Sequence, residues 1–100
     1  MAIPEVASVS DHLSARWQIS DQAIANAVAD ETVILHLGNG NYFGLDPIGA
    51  RLWDTIKQGA TPDTVCADLL EEYDVDRATL EADLRALLAE LVENDLISRA

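Results

Sequence analysis

The sequence is short of the residues that most function classes require. It carries six Lys and Arg against 18 Asp and Glu, a formal net charge of −12 over 100 residues. Such a chain repels a phosphate backbone, so nucleic acid is an unfavourable partner. Its one cysteine, Cys66, permits neither an internal disulfide nor a cysteine metal cluster, and a reducing compartment, the cytoplasm, is the expected location. The two histidines, His12 and His36, lie far apart and in no ligand spacing such as His-x-x-x-His. No apolar run approaches the roughly 20 residues that span a bilayer, and no signal-peptide pattern opens the chain. Gly38, Gly40 and Gly44 surround a hairpin turn instead of a strand-to-helix turn, so they do not form a phosphate loop. Glu71, Glu72, Asp74 and Asp76 sit beside a helix end on an acidic surface, which reads as solvated charge and not as acid–base machinery. Neither a metal nor a cofactor is expected, and the chain reads as non-catalytic.

What is present is enough apolar material, 49% of residues, for the core of one domain. Residues 1–15 scatter Ile3, Val6, Val9 and Leu13 among polar residues with no sustained period, and read as a flexible arm. The domain is expected over residues 16–100. Three β-prone pieces follow, at residues 17–20, 32–37 and 41–45. Val33, Leu35 and Leu37 alternate with Ile34 and His36, as in a strand covered at least partly on both faces. Gly38, Asn39 and Gly40 between the last two pieces supply the Asn-Gly pair of a tight hairpin.

From Pro47 the pattern becomes helical. Asp46 and Pro47 form a start signal, and Ile48, Leu52, Trp53 and Ile56 recur at helical spacing until Gly59. Thr61 and Pro62 repeat the device before the stripe Val65, Cys66, Leu69, Leu70 and Tyr73. Asp76 caps a third helix in which Leu80, Leu84, Leu87, Leu88, Leu91 and Val92 keep a 3.6-residue period, with Asn94 as a left-handed stop. The expected fold is α+β: a three-stranded antiparallel sheet followed by three helices. Trp17, Trp53 and Cys66 are expected in the core.

Several features, taken in order, carry a resemblance: Thr32-Val33-Ile34-Leu35; Tyr42-Phe43-Gly44-Leu45-Asp46 with Gly49-Ala50-Arg51-Leu52-Trp53; Leu69-Leu70-Glu71-Glu72-Tyr73-Asp74-Val75; and Asp83-Leu84 with Leu87, Leu88 and Leu91. Over about residues 17–97 the chain resembles the PqqD-like family, the RiPP recognition elements that bind leader peptides of ribosomally made, post-translationally modified peptides. The resemblance implies a winged-helix-like domain that captures an unfolded leader as an added strand and presents it to a separate modifying enzyme, such as a leader protease or a radical SAM enzyme. The leader would pair with Asn41, Tyr42, Phe43, Gly44, Leu45 and Asp46, in the groove between that strand and the last helix. Within the family, the Tyr42-Phe43-Gly44-Leu45 strand and the Gly49-Ala50-Arg51-Leu52-Trp53 helix look closer to the free-standing partner of a lasso-peptide leader protease than to the protein of pyrroloquinoline quinone synthesis.

The residues suit that role. An edge strand leaves unpaired N–H and C=O groups to which an extended peptide can bond while alternate side chains enter apolar pockets. The apolar arc of the last helix covers roughly 140°, wider than a core stripe needs, with its surplus on the Leu88 side. Leu88, flanked by Glu81 and Arg85, is therefore expected to line the groove together with Leu84, with Asp83 on the other border as the competing choice. Two further readings are a winged-helix transcription regulator, opposed by the acidic last helix, and a homodimer in which the open strand pairs with its own copy.

Overall fold

The computed structural model describes residues 12–29 and 31–100. Strands β1 (Trp17–Ile19), β2 (Ala23–Val28), β3 (Glu31–His36) and β4 (Tyr42–Leu45) come first. Helices α1 (Pro47–Lys57), α2 (Asp63–Glu72) and α3 (Arg77–Glu93) follow, and β5 (Ile97–Arg99) comes last. A three-stranded antiparallel sheet has the order β2-β3-β4, and β1 pairs separately with β5.

The expected class is present, with a change of membership. Residues 17–19 are a strand, but their partner is β5, with Trp17 opposite Arg99. The third strand of the sheet is β2, whose Ala-Ile-Ala-Asn-Ala-Val sequence carries little β propensity and is held by its register against β3, Ala25 opposite Ile34. Leu96 and Ile97, left outside any element by the sequence reading, are buried at the start of β5.

Asp46 caps α1, its Oδ1 accepting from the Gly49 N–H at 2.8 Å, with Pro47 in the first turn where no donor is needed. Asp76 caps α3 in the same way through the Thr79 N–H at 3.0 Å. The start of α2 differs: Thr61 does not cap it through its side chain, which bonds to Asp63, while the Thr61 carbonyl accepts from Thr64. Tyr73, placed in the α2 stripe by its spacing, lies past the helix end and is exposed. After α3 the left-handed residue is not Asn94, at φ −89°, but Asp95, at φ +59°.

Ile34 and Leu45 point from the inner sheet face into a core with Leu52, Trp53 and Ile56 of α1, Val65, Cys66 and Leu69 of α2, and Leu80, Leu84, Leu88 and Leu91 of α3. Trp17 joins it, as do Leu13 and Ala15. The packed core thus reaches into residues read from sequence as a flexible arm; the rest of that segment, residues 1–11, lies outside the described residues.

Candidate functional site

The strand β4 bonds to β3 on one side and to nothing on the other among the described residues. Ile34 faces Phe43 and Thr32 faces Leu45, in the same register as the His36 N–H, which donates to the Asn41 carbonyl at 2.9 Å. Antiparallel ladders alternate, so Phe43 and Leu45 spend their main-chain groups on β3, while Tyr42 and Gly44 turn theirs to the open edge. Gly44 adds a second sign. A Cβ built there would meet nothing within 4 Å, so neither packing nor a turn in its own fold calls for glycine. A glycine inside a strand often marks the close approach of another backbone.

Beneath this edge runs a groove of about 310 Å³ lined by Phe43, Gly44, Leu45, Asp46, Ile48, Gly49, Leu80, Asp83, Leu84, Leu87 and Glu90. One wall is β4 and the start of α1; the other is α3. Gly49 allows the close approach: a Cβ there would stand 3.1 Å from Leu45 and 3.3 Å from Leu87, so any larger residue would push on the groove.

Of the residues singled out by sequence, the structure brings Phe43, Gly44, Leu45, Asp46, Asp83 and Leu84 together in this groove. Asn41 and Tyr42 lie at its strand end without lining it, and Tyr42 is 73% exposed on the outer sheet face. Leu88 is elsewhere. It is 1% exposed and borders a different recess with His12, Trp17, Ala89, Val92, Glu93 and Arg99. Glu81 and Arg85 also leave the groove: Arg85 Nη2 lies 3.6 Å from Glu81, which also takes Arg77 at 3.4 Å. The border with Asp83, not the border with Leu88, faces β4. Ile48, Gly49, Leu80, Leu87 and Glu90 also line the groove, although none was expected there from sequence. Leu87 and Leu80 stood in the apolar arc, and Gly49 opposite them was the available signal.

The groove's ionisable groups are all acidic. Asp46 is partly committed to its cap, while Asp83 and Glu90 form no ion pair among the described residues. No group of metal-ligating side chains occurs among the described residues, and no helix there is long and apolar enough to cross a membrane. Cys66 is 2% exposed, and burial pushes its thiol up, as for a packing residue. A larger recess of about 490 Å³ opens between β1, β2 and the end of α1, lined by Trp17, Ile19, Trp53 and Lys57 among others.

Fold and groove together define a small α+β domain whose edge strand β4 keeps one side open among the described residues. The family model described as "Coenzyme PQQ synthesis protein D (PqqD)" matches residues 31–97. The chain belongs to the PqqD family. It is similar to the solved structure of TbiB1 in complex with the TbiA(beta) leader peptide, at 41% identity and TM-score 0.74 over 81% of this chain and 94% of that one. It is also similar to a lasso peptide synthetase B1 complexed with the leader peptide, at 26% identity and TM-score 0.77 over 84% of this chain and 99% of that one. No curated protein gives a significant match.

Proposed function

We propose that this chain is a non-catalytic RiPP recognition element that captures a precursor's leader peptide by strand addition at β4 and holds it against α3. The observation that carries this reading is the open edge at Tyr42 and Gly44 above the apolar groove, in a chain similar to two proteins solved with leader peptides. Tyr42 and Gly44 each offer one N–H and one C=O, four hydrogen bonds at about 0.5–1.5 kcal/mol each. Two apolar anchors in the groove add about 1.5–3 kcal/mol each. Set against the cost of ordering and association, this gives a reversible binder in the micromolar to nanomolar range. The backbone bonds accept any sequence, so the pocket side chains select the leader.

The modifying enzyme we favour as partner is a lasso-peptide leader protease, with a radical SAM enzyme next, because one similar structure is a lasso peptide synthetase B1. The chain would work in the cytoplasm, where precursor peptides are made. A DNA-binding role is disfavoured on α3 itself, where Arg77 and Arg85 are both tied to Glu81. Isothermal titration with the leader of a precursor encoded beside this gene tests the reading. Saturable binding that disappears in Gly44→Pro supports it, and binding unaffected by that change refutes strand addition at β4.

A further inference from the structure

The groove has a charge pattern as well as a shape. Asp83 and Glu90 stand on the exposed side of α3, seven residues and so about 10 Å apart along the axis, with Leu87 between them and Leu84 deeper. At 100° per residue the two carboxylates share the outer rim of the wall, while Leu80 and Leu84 lie toward the core. The groove lining includes no Lys, Arg or His. Residues 1–11 contain none either.

An extended peptide on β4 turns every second side chain toward α3, about 6.6 Å apart. We propose that the groove selects a cationic segment whose successive groove-facing residues read basic, apolar, basic. The apolar side chain sits among Phe43, Leu84 and Leu87, and the flanking Lys or Arg side chains reach Asp83 and Glu90. This rests on the peptide-binding reading and adds the chemical class of the peptide. Acidic residues at the flanking positions would meet two carboxylates and the −12 field of the whole chain, and would be rejected.

A displayed library of random dodecapeptides, selected on the wild-type protein and on Asp83→Asn/Glu90→Gln, provides the test. Both positions are exposed and both changes keep shape, so matching thermal melts establish that the variant is folded. The wild-type pool is expected to be enriched in Lys or Arg two residues to either side of an apolar residue. The variant pool should keep the apolar residue and lose the basic ones. A selected peptide should bind the variant about 4- to 25-fold more weakly, two- to fivefold per exposed pair, with the difference shrinking in salt. A wild-type pool without basic enrichment, or enrichment unchanged in the variant, overturns the proposal. If those peptides still depend on Gly44, as Gly44→Pro reports, strand addition survives without it. A pool indifferent to Gly44→Pro overturns both.

Discussion

His36 Nε2 lies 3.1 Å from Asp95 Oδ2, joining the end of β3 to the turn after α3. The sheet is thereby tied to the segment between α3 and β5. The imidazole is 6% exposed, and its Nδ1 accepts from the Gly38 N–H at 3.0 Å and the Asn39 N–H at 3.2 Å. With Nδ1 occupied as an acceptor, Nε2 carries the proton and donates to Asp95. Gly38 is held by the same contact, since a Cβ there would come within 2.8 Å of the imidazole Cε1. His36→Ala should cost about 1–3 kcal/mol by leaving the turn amides without their acceptor, whereas Asp95→Ala, at an exposed partner, should cost under about 1 kcal/mol. Urea unfolding measures both, and hydrogen exchange should quicken at Gly38 and Asn39 in the first variant only.

Proline scanning of β4 should split by residue parity. At Gly44 it removes an outward N–H and should abolish peptide capture while the domain stays folded. At Phe43 or Leu45 it removes an N–H bonded to β3 and should destabilise by about 3 kcal/mol or more. Circular dichroism melts beside peptide titrations separate the two effects.

Leu87 and Leu88 are neighbours with different roles. Leu88→Ala opens a cavity in the core and should cost about 2–5 kcal/mol of stability. Leu87 is only partly buried and lines the groove, so Leu87→Ala should cost less stability and more peptide affinity. Equal losses of affinity in the two variants would contradict this assignment.

The pH dependence of stability should have two identifiable limbs. Arg51 donates to both Glu72 oxygens, at 2.9 and 2.7 Å, and this hydrogen bonding holds the Glu72 carboxyl below the ordinary range. A depressed carboxylate stabilises the fold above its unfolded value of about 4.3 and loses that contribution as pH falls through its folded value. Cys66 runs the other way. Its thiol is raised by burial, so its contribution is intact below about 8.5 and declines as pH rises beyond that. Arg51→Gln should flatten the acid limb and Cys66→Ala the alkaline one, read from melts between about pH 3 and 10.

Local signals made much of this legible in the sequence. A hairpin joins β3 to β4 where expected, but His36 and Asn41 close it over residues 37–40 with Gly40 alone left-handed, at φ +74°, so it is a longer loop than the tight Asn-Gly turn; Asp46-Pro47 and Asp76 start helices where expected. β2 was not legible, because three alanines and an asparagine make a strand only when β3 offers a register. Nor was the three-residue β5, which exists by pairing with β1. On α3 the spacing established a wide apolar arc but not its rotation. The docking of Leu87 against Gly49 turns Asp83 and Glu90 toward β4 and sends Leu88 inward. That outcome depends on how two helices meet, which periodicity within one helix does not encode.

The wall of α3 divides its labour along a single helix: Leu80, Leu84, Leu88 and Leu91 are locked into the interior, while Asp83 and Glu90 carry almost none of it. Mutation can therefore rewrite the outer pair freely while the scaffold beneath stays intact. A lineage that duplicates this gene could drift toward a new peptide client by exchanging two surface carboxylates, each step costing the buried leucines nothing.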